Sequence, residues 1–463
     1  MKTNRLLTLI AYVEVFLAIL SVDVKSESGA GRLALDPDFA RFVSEKKALT
    51  TTLAKKHEVT VPSMVWQFFD AAEKGDWETT TNTFARLLAS PGGYGKAAWV
   101  PQEIWGPVHD TLGAAEQFHG WNPELLRTFG KGILGDIPPG SIYIGGTDAG
   151  RFVVSALSQS HSEGHPVFTL TQNALADEGY LNYLRDMYGT HIYIPNTNDS
   201  ADAFNKYFQD ARSRLEKNQL MEGEDVKIVG DRVQVSGVGA VMFINELLCK
   251  LIVEKNPGRD VYLEESYPLK SFYPQSVPHG FVLKINRQPV DLSKAAIKAD
   301  RKFWADQTRK LVGKVIGDNT TINELCAWSE GILVRSNFSN FAGNKAYLKD
   351  RQAPQYFSKC RSALASLYQW RSTEAADKAE SSMLSREADH AHQEAVALSP
   401  FNPEVAWRYT DYLISGGRTN EARVLIQTII RIQPERWMEL DSEYLKSSWD
   451  RLRRKAKDLG IPP

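Results

Sequence analysis

Between residues 137 and 285, short runs of β-branched and aromatic residues alternate with stretches of helical periodicity. Because parallel strands need a long crossover, usually a helix, this alternation predicts βαβ units and a mainly parallel sheet. Apolar strands of this kind are buried on both faces, so helices should cover both sides of a Rossmann-like core. The strands are predicted at 141–145, 167–171, 191–194, 261–264 and 281–285, with a β-hairpin at 226–235. Helices are predicted at 149–160, 177–188, 200–220 and 238–254.

Helical patterns flank this core on both sides. The chain has 463 residues, which predicts two to four domains. Residues 36–135 are predicted to form a helical lead-in with one helical hairpin at 61–90, followed at 96–135 by an irregular stretch with one or two short helices. The Rossmann-like α/β domain is assigned to 136–290, and a helical domain with tetratricopeptide-like repeats to 291–463.

The N-terminus has the order of a secretory signal. Lys2 and Arg5 precede an apolar stretch over residues 6–20, and small polar residues follow. That stretch is shorter than a comfortable membrane span, and Glu14 interrupts it. Residues 1–28 are therefore predicted to be a signal peptide or a membrane anchor, which places the protein outside the cytoplasm, in the periplasm or envelope. A buried N-terminal helix of a cytosolic protein is the alternative.

Charge and cysteine content exclude several classes of protein. The formal net charge is -1, so the sequence offers no basic excess for nucleic acid or for an anionic membrane surface. Cys249, Cys326 and Cys360 form no zinc-type spacing and are too few for a disulfide scaffold. No cofactor can be assigned from motifs of this kind.

The clearest pattern near the C-terminus covers residues 402–434. Ala406, Tyr409 and Leu413 share one face of a first helix, Gly416-Gly417 turns the chain, and apolar residues line a second helix up to Pro434. The 34-residue spacing back to a proline at position 400 resembles the tetratricopeptide repeat. Ala406 and Thr410 stand where the repeat usually has Trp and Gly, so a generic antiparallel hairpin is the alternative.

A partner-binding surface follows from this helical hairpin. Side chains opposite the packed face are predicted to be exposed on a concave side, where an exposed Trp beside an Arg would anchor a protein partner. These residues are Glu404, Trp407, Arg408 and Asp411. The preceding helix carries His390 and His392, which are predicted to face solvent.

Several blocks of the α/β region resemble a known group of proteins. Residues 171–189 (TQNALADEGYLNYLRDMYG) and 262–268 (YLEESYP) are similar to segments of uncharacterised bacterial tetratricopeptide-repeat proteins. In some relatives a similar soluble region follows a membrane segment like that of protein O-mannosyltransferases. The resemblance implies an extracytoplasmic setting, a role beside envelope glycosylation and a membrane glycosyltransferase-like partner. It supplies no catalytic residues.

Polar residues follow three of the predicted strands at the edge where open α/β sheets bind ligands. Asp148, Asp177 and Glu264 could converge there as a paired-carboxylate or metal site, above a glycine loop whose N–H groups would attract anions. Thr147 or Asp148 could instead simply cap the following helix. The predicted ligand-binding set is Gly145, Gly146, Thr147, Asp148, Gln172, Asn173, Asp177 and Glu264.

Two functions are compatible with these features. The preferred hypothesis is an extracytoplasmic interaction or accessory protein that docks a partner through its helices and holds a small ligand on its α/β domain. The alternative is a sugar- or nucleotide-binding transferase component that uses the carboxylates at the sheet edge. Only the alternative requires those carboxylates to act in catalysis, so the sequence does not decide whether the protein is an enzyme.

Overall fold

The structure is a computed structural model that describes residues 36–88, 100–220, 224–229, 232–339, 341–432 and 443–461. The predicted signal peptide or anchor lies outside these residues. Among the helices that are described, none combines the length and apolar character needed to cross a bilayer. The described protein is mostly helical and contains one small mixed sheet.

In the described part of the chain, five α-helices precede the sheet: α1 (Pro37–Lys56), α2 (Ser63–Glu73), α3 (Trp77–Leu88), α4 (Trp105–Gly120) and α5 (Pro123–Asp136). Two helices form in the stretch predicted to be irregular with one or two short helices, but α4 and α5 are longer than predicted, with 16 and 14 residues. Their glycines permit close packing rather than turns. A Cβ on Gly113 would lie 2.3 Å from the Phe152 ring, and one on Gly130 would lie 2.6 Å from Leu157.

The described residues contain seven strands in two sheets: β1 (Ile142–Gly145), β2 (Phe168–Thr171), β3 (Asp225–Val229), β4 (Arg232–Ser236), β5 (Val261–Glu264), β6 (Ser276–His279) and β7 (Val282–Ile285). The main sheet has the order β2-β1-β5-β7-β6, and β3 and β4 form a separate hairpin. β1 is parallel to β2 and β5, whereas β7 is antiparallel to β5 and β6. The mainly parallel prediction was therefore wrong. A tight turn at Gly280, with φ of 60°, joins β6 directly to β7 and forces their antiparallel pairing.

The strand predicted at 191–194 does not form. Ile192 and Ile194 are buried as expected, but the segment pairs with no other strand. The side chain of Asn256 accepts a hydrogen bond from the Tyr193 N–H at 2.7 Å and donates one to the Tyr193 carbonyl at 3.0 Å. One amide side chain thus satisfies the backbone that a neighbouring strand would otherwise pair.

Helices connect the strands as the sequence pattern predicts. A π-helical turn (Ala149–Val153) leads from β1 into α6 (Val154–Leu157), and α7 (Glu178–Tyr188), α8 (Thr197–Glu216) and α9 (Val238–Lys255) follow. Asp177 caps α7 and Asn196 forms a capping box with Asp199 at the start of α8. These short-range signals explain why the helix positions were predictable.

The remaining helices are α10 (Lys294–Val312), α11 (Ile322–Leu333), α12 (Lys345–Lys349), α13 (Ala353–Glu374), α14 (Lys378–Leu398), α15 (Pro403–Ser415), α16 (Thr419–Ile432) and α17 (Glu443–Asp458). They share a core with the α/β region. The rings of Phe129 in α5, Phe281 beside β7 and Phe357 in α13 lie 5.4 to 5.9 Å apart, centroid to centroid. The predicted boundary at 290/291 is therefore not a break in packing.

The predicted concave surface on α15 was wrong. Glu404 is buried, with its carboxylate 3.0 Å from the Lys359 Nζ and 2.7 Å from the guanidinium of Arg408, which is itself buried. Trp407 and Asp411 are covered by α17: the Arg451 guanidinium lies 3.8 Å from the centre of the Trp407 ring, and the Lys455 Nζ lies 2.7 Å from Asp411. Helices α13 and α17 pack on α15 from two sides, which periodicity within one helix cannot reveal.

His390 and His392 were also wrongly predicted to face solvent. α14 packs against both α13 and α15, so the two side chains are buried. The His392 ring stacks on Tyr409 with centroids 5.1 Å apart, and neither ring nitrogen has a hydrogen-bond partner. Burial, followed by the nearby charges of Arg408 and Arg361, lowers the pKa of His392 to about 3.

His392 should make the fold sensitive to acid. Its folded pKa lies below the unfolded value, so the unfolded chain takes up the proton first and stability is lost as pH falls below about 6.5. At pH 5 this loss is about 2 kcal/mol, since each unit of pKa difference is worth about 1.4 kcal/mol. We expect His392→Phe to remove about that much of the loss in unfolding free energy between pH 7.5 and pH 5, measured by urea denaturation.

The exposed His191 provides the control. His191→Gln should retain the wild-type pH dependence. An unchanged loss of stability in His392→Phe would show that His392 is not held neutral in the folded protein.

Candidate functional site

A buried carboxylate lies at the centre of the sheet edge. Glu264 ends β5 and is only 1% exposed, and the parallel register places it opposite Gly145 at the end of β1. Its Oε2 accepts hydrogen bonds from the backbone N–H groups of Gly146 and Thr147, both at 2.7 Å. Burial raises the pKa of Glu264, and the two N–H groups partly offset this by stabilising the charged form.

The glycines of the loop after β1 make room for this internal carboxylate. A Cβ on Gly150 would lie 2.1 Å from Glu264 Oε2, and one on Gly146 would lie 2.4 Å from the Glu264 carbonyl oxygen. Gly145 is equally constrained, since its Cβ would lie 2.9 Å from the Gly150 carbonyl. The N–H groups that the sequence suggested for an external anion are therefore occupied by Glu264.

Gln172 and Asn173 also face inward. The Gln172 Oε1 accepts the Ser266 N–H at 3.0 Å, and its Nε2 donates to the Tyr267 carbonyl at 3.2 Å. The Asn173 Nδ2 donates to the Gly146 carbonyl at 3.0 Å, and its Oδ1 accepts the Ser266 hydroxyl at 2.9 Å. Together with Glu264 they tie the ends of β1, β2 and β5 into one hydrogen-bonded lattice.

Asp177 does not join this group. It is exposed and caps α7, where its Oδ1 accepts the Tyr180 N–H at 3.0 Å. The predicted convergence of Asp148, Asp177 and Glu264 was therefore wrong for Asp177. Since a residue at an N-cap must turn its side chain toward its own helix, it cannot also reach across to the neighbouring strand.

Asp148 lies just outside the lattice and faces solvent. The cap of the helix that follows β1 is Thr147, whose hydroxyl accepts the Gly150 N–H at 2.9 Å, so Asp148 has no capping role. Burial raises the pKa of Asp148, against the opposing effect of Arg151 and Lys359. Asp148 is therefore exposed at the surface, yet enough protein surrounds its carboxyl group to disfavour the charged form.

Two side chains from other elements lie close to Asp148. Burial, and then the charge of Asp148, raises the pKa of Glu116 in α4 to about 8. Burial, and then Asp148, Glu264 and Glu116, raises the pKa of Tyr356 in α13 well above its usual value, so this phenol is close to all three carboxylates. The Tyr356 ring stacks on Trp121 with centroids 5.4 Å apart. We call Glu116, Asp148 and Tyr356 the acidic cleft.

A buried ion cluster holds the π-helical turn that follows Asp148. The Arg151 Nη2 lies 2.7 Å from Asp110 Oδ1, and the Lys46 Nζ lies 2.9 Å from Asp110 Oδ2. The Tyr183 hydroxyl donates to the same carboxylate at 2.8 Å. Because the three partners come from α1, the π-helical turn and α7, Asp110 fixes the helix that carries Asp148.

Within the residues that the structure describes, neither Asp148 nor Glu116 has a hydrogen-bond donor or an ion-pair partner. The same residues contain no group of three or more His, Cys, Asp or Glu side chains arranged to hold a metal ion. Sequence reasoning missed Glu116 and Tyr356 because α4 and α13 lie far from the sheet in sequence. No local motif marks either residue.

No family model, no curated protein and no solved structure matches this chain. Function therefore has to be inferred from the side chains and their geometry.

Glu264 should be replaceable by a small free carboxylate. Glu264→Ala leaves the Gly146 and Thr147 N–H groups buried and unpaired, at a cost of about 1–3 kcal/mol each. We expect a lower melting temperature for this variant, and we expect formate or acetate, but not chloride at equal ionic strength, to restore part of it. A formate shift of the same size in the wild type would mean that the anion acts elsewhere.

Gly150 should tolerate no side chain, because the Glu264 carboxylate lies against it. Gly150→Ala places a methyl group on the Glu264 carboxylate, so we expect at least about 2 kcal/mol of destabilisation in urea denaturation. Gly135 in α5 is the matched control, because a Cβ there meets nothing within 4 Å. Gly135→Ala should be neutral or stabilising by up to about 1 kcal/mol. Equal effects of the two substitutions would contradict the close approach at Gly150.

Proposed function

We propose that this protein is an extracytoplasmic binding or accessory protein that holds a small polyhydroxylated ligand, such as a sugar, in the acidic cleft. One observation carries the proposal: the carboxyl groups of Asp148 and Glu116 lack hydrogen-bond and ion-pair partners among the described residues, whereas Glu264 and Gln172 are hydrogen-bonded within the protein. Crowded carboxylates without donors are costly, so a ligand that donates hydrogen bonds to them would bind favourably.

The chemistry of the acidic cleft favours hydroxyl groups over phosphate. Carboxylates accept hydrogen bonds from hydroxyls and repel anions. The Tyr356 ring, supported by Trp121, adds the apolar surface that small-molecule sites usually contain. A nucleotide or sugar phosphate would instead need the N–H groups of the loop after β1, and Glu264 already accepts those of Gly146 and Thr147.

The transferase hypothesis is the second candidate, and the pKa of Glu116 favours it. A carboxyl group with a pKa of about 8 is largely protonated at neutral pH and could act as a general acid. Catalysis by two carboxylates requires one acid and one base, held in different environments. Asp148 would then be the second group of the pair.

The finer fold assignments belong to the same proposal. We infer a Rossmann-like ancestry for the α/β region from the parallel strands β2, β1 and β5 and from the ligand edge at their carboxyl ends. We infer a tetratricopeptide-like unit from α15 and α16, which pack together around the buried Ala406 and Ala422 and turn at Gly417.

The setting and partner of the protein are proposed from sequence. The apolar N-terminal segment supports export or anchoring. The resemblance to proteins that carry an O-mannosyltransferase-like membrane segment supports a place beside envelope glycosylation and a membrane glycosyltransferase-like partner. Since Glu404 and Arg408 are buried, such a partner would have to contact a different face of the helical region.

Calorimetric titration with neutral sugars and sugar phosphates tests the acidic cleft. We expect a neutral sugar to bind, and we expect Asp148→Asn and Tyr356→Ala to weaken binding about 10- to 100-fold, because each removes an interaction worth about 1.5–3 kcal/mol. Asp177→Asn is the control and should bind as the wild type does. Binding that is lost in Asp177→Asn but kept in Asp148→Asn would contradict the proposed site, and turnover of a bound sugar donor would favour the transferase.

A further inference from the structure

A second surface stands out by its exposed apolar side chains. Among the described residues, four large apolar side chains are exposed: Leu220, Val238, Val334 and Phe338. Val334 and Phe338 lie just after the end of α11 and are 53% and 42% exposed. Two such side chains so close in sequence expose apolar area that folding normally removes from water.

Backbone hydrogen bonds to α11 hold the segment that carries these side chains in one conformation. The N–H groups of Val334 and Arg335 both donate to the Glu330 carbonyl at 3.0 Å, and the Asn337 N–H donates to the Gly331 carbonyl at 2.9 Å. These bonds close the end of α11 and require Ser336 to adopt a left-handed φ of 51°. Phe338 therefore projects from a capped helix end rather than from an unstructured strand.

Phe341 and Gly343, which follow in the chain, also contact neighbouring residues. The Phe338 ring meets the Phe341 ring edge-on, with centroids 6.3 Å apart. Gly343, which lies beneath Phe341, packs on the end of α10, where a Cβ would lie 2.6 Å from the Leu311 carbonyl. These contacts connect Phe338, through Phe341 and Gly343, to the last turn of α10.

Basic side chains lie on the segments next to the exposed pair. Arg335 and Arg431 are about three-fifths exposed and share one carboxylate, that of Glu330, at 4.0 and 2.9 Å. Lys310 and Lys314, at the end of α10, are exposed and form no ion pair within the described residues. Asp306 pairs with Lys302 and Arg309, and Asp318 pairs with Arg301, whereas Glu324 caps its own helix and forms no ion pair with any described residue. This local excess of basic side chains is not apparent from the net charge of the whole chain, which is -1.

We propose that this surface docks on an anionic phospholipid bilayer. Val334 and Phe338 would enter the interface between headgroups and acyl chains, and the basic side chains around them would contact headgroup phosphates. We call Val334, Phe338, Arg335, Arg431, Lys310 and Lys314 the basic-apolar patch. The inference is independent of the ligand proposed for the acidic cleft.

Size and charge favour a bilayer over a protein partner. A stable protein interface buries about 800 Å² on each side, and two projecting side chains supply far less apolar area than its core needs. A bilayer requires only a few inserted apolar groups together with basic residues, each of which contributes about 1 kcal/mol near an anionic surface. Stable attachment to a membrane usually needs two separate membrane-binding elements. The apolar N-terminal segment would be the second element beside this surface.

Vesicle co-sedimentation of the full chain tests the proposal. The vesicles are phosphatidylcholine alone or mixed with phosphatidylglycerol, at low and high salt. We expect preferential binding to the anionic vesicles that weakens at high salt. Lys310→Gln with Lys314→Gln should lower that binding about 30-fold, and Val334→Ser with Phe338→Ser at least about tenfold. Leu220→Ser with Val238→Ser removes the other exposed apolar pair and should leave binding unchanged.

Each variant retains the N-terminal segment, so any contribution of that segment cancels in the comparison. Wild-type binding in Val334→Ser with Phe338→Ser would overturn the proposal. So would a wild-type protein that binds both vesicle types equally, or neither. Binding to neither type would leave an acidic protein as the occupant of the patch.

Discussion

The carboxylate of Glu264 determines the form of the sheet edge. A buried carboxylate is tolerated only where hydrogen bonds replace its water, and here the loop after β1 supplies two N–H groups at 2.7 Å. This contact joins the ends of β1 and β5 and requires glycine at position 150. It also occupies the N–H groups that an external anion would need. The ligand site that we propose therefore lies outside the lattice, at Asp148.

Helix α13 makes the two predicted domains interdependent. It packs Phe357 against Phe281 of the α/β region, brings Tyr356 into the acidic cleft and places the Cys360 Sγ 4.0 Å from the Glu264 carboxylate. A cleft assembled from α4, the loop after β1 and α13 exists only when all three are docked. Ligand binding at Asp148 should consequently be coupled to the packing of the helical region.

Much of the secondary structure was predictable, because its causes are local. Runs of β-branched residues mark β1, β2, β5 and β7, and helix starts are marked by caps such as Asp177 and Asn196. The glycine loop after β1 and the polar residues around it were also identified as a special region. Six of the eight predicted ligand residues lie in or beside the Glu264 lattice: Gly145, Gly146, Thr147, Gln172, Asn173 and Glu264.

By itself the sequence determined most of the helices and the strands β1, β2, β5 and β7, since those preferences act over a few residues, whereas β6 was not predicted and the strand predicted at 191–194 does not form. Only the tertiary structure decided which polar groups pair with each other. Asn256 replaces a strand beside Tyr193, Glu264 fills the glycine loop, and α17 covers Trp407, although each pair is far apart in the chain. Burial and hydrogen bonding depend on neighbours in space, so a carboxylate such as Glu116 acquires its raised pKa only when α4 and the loop carrying Asp148 are packed together.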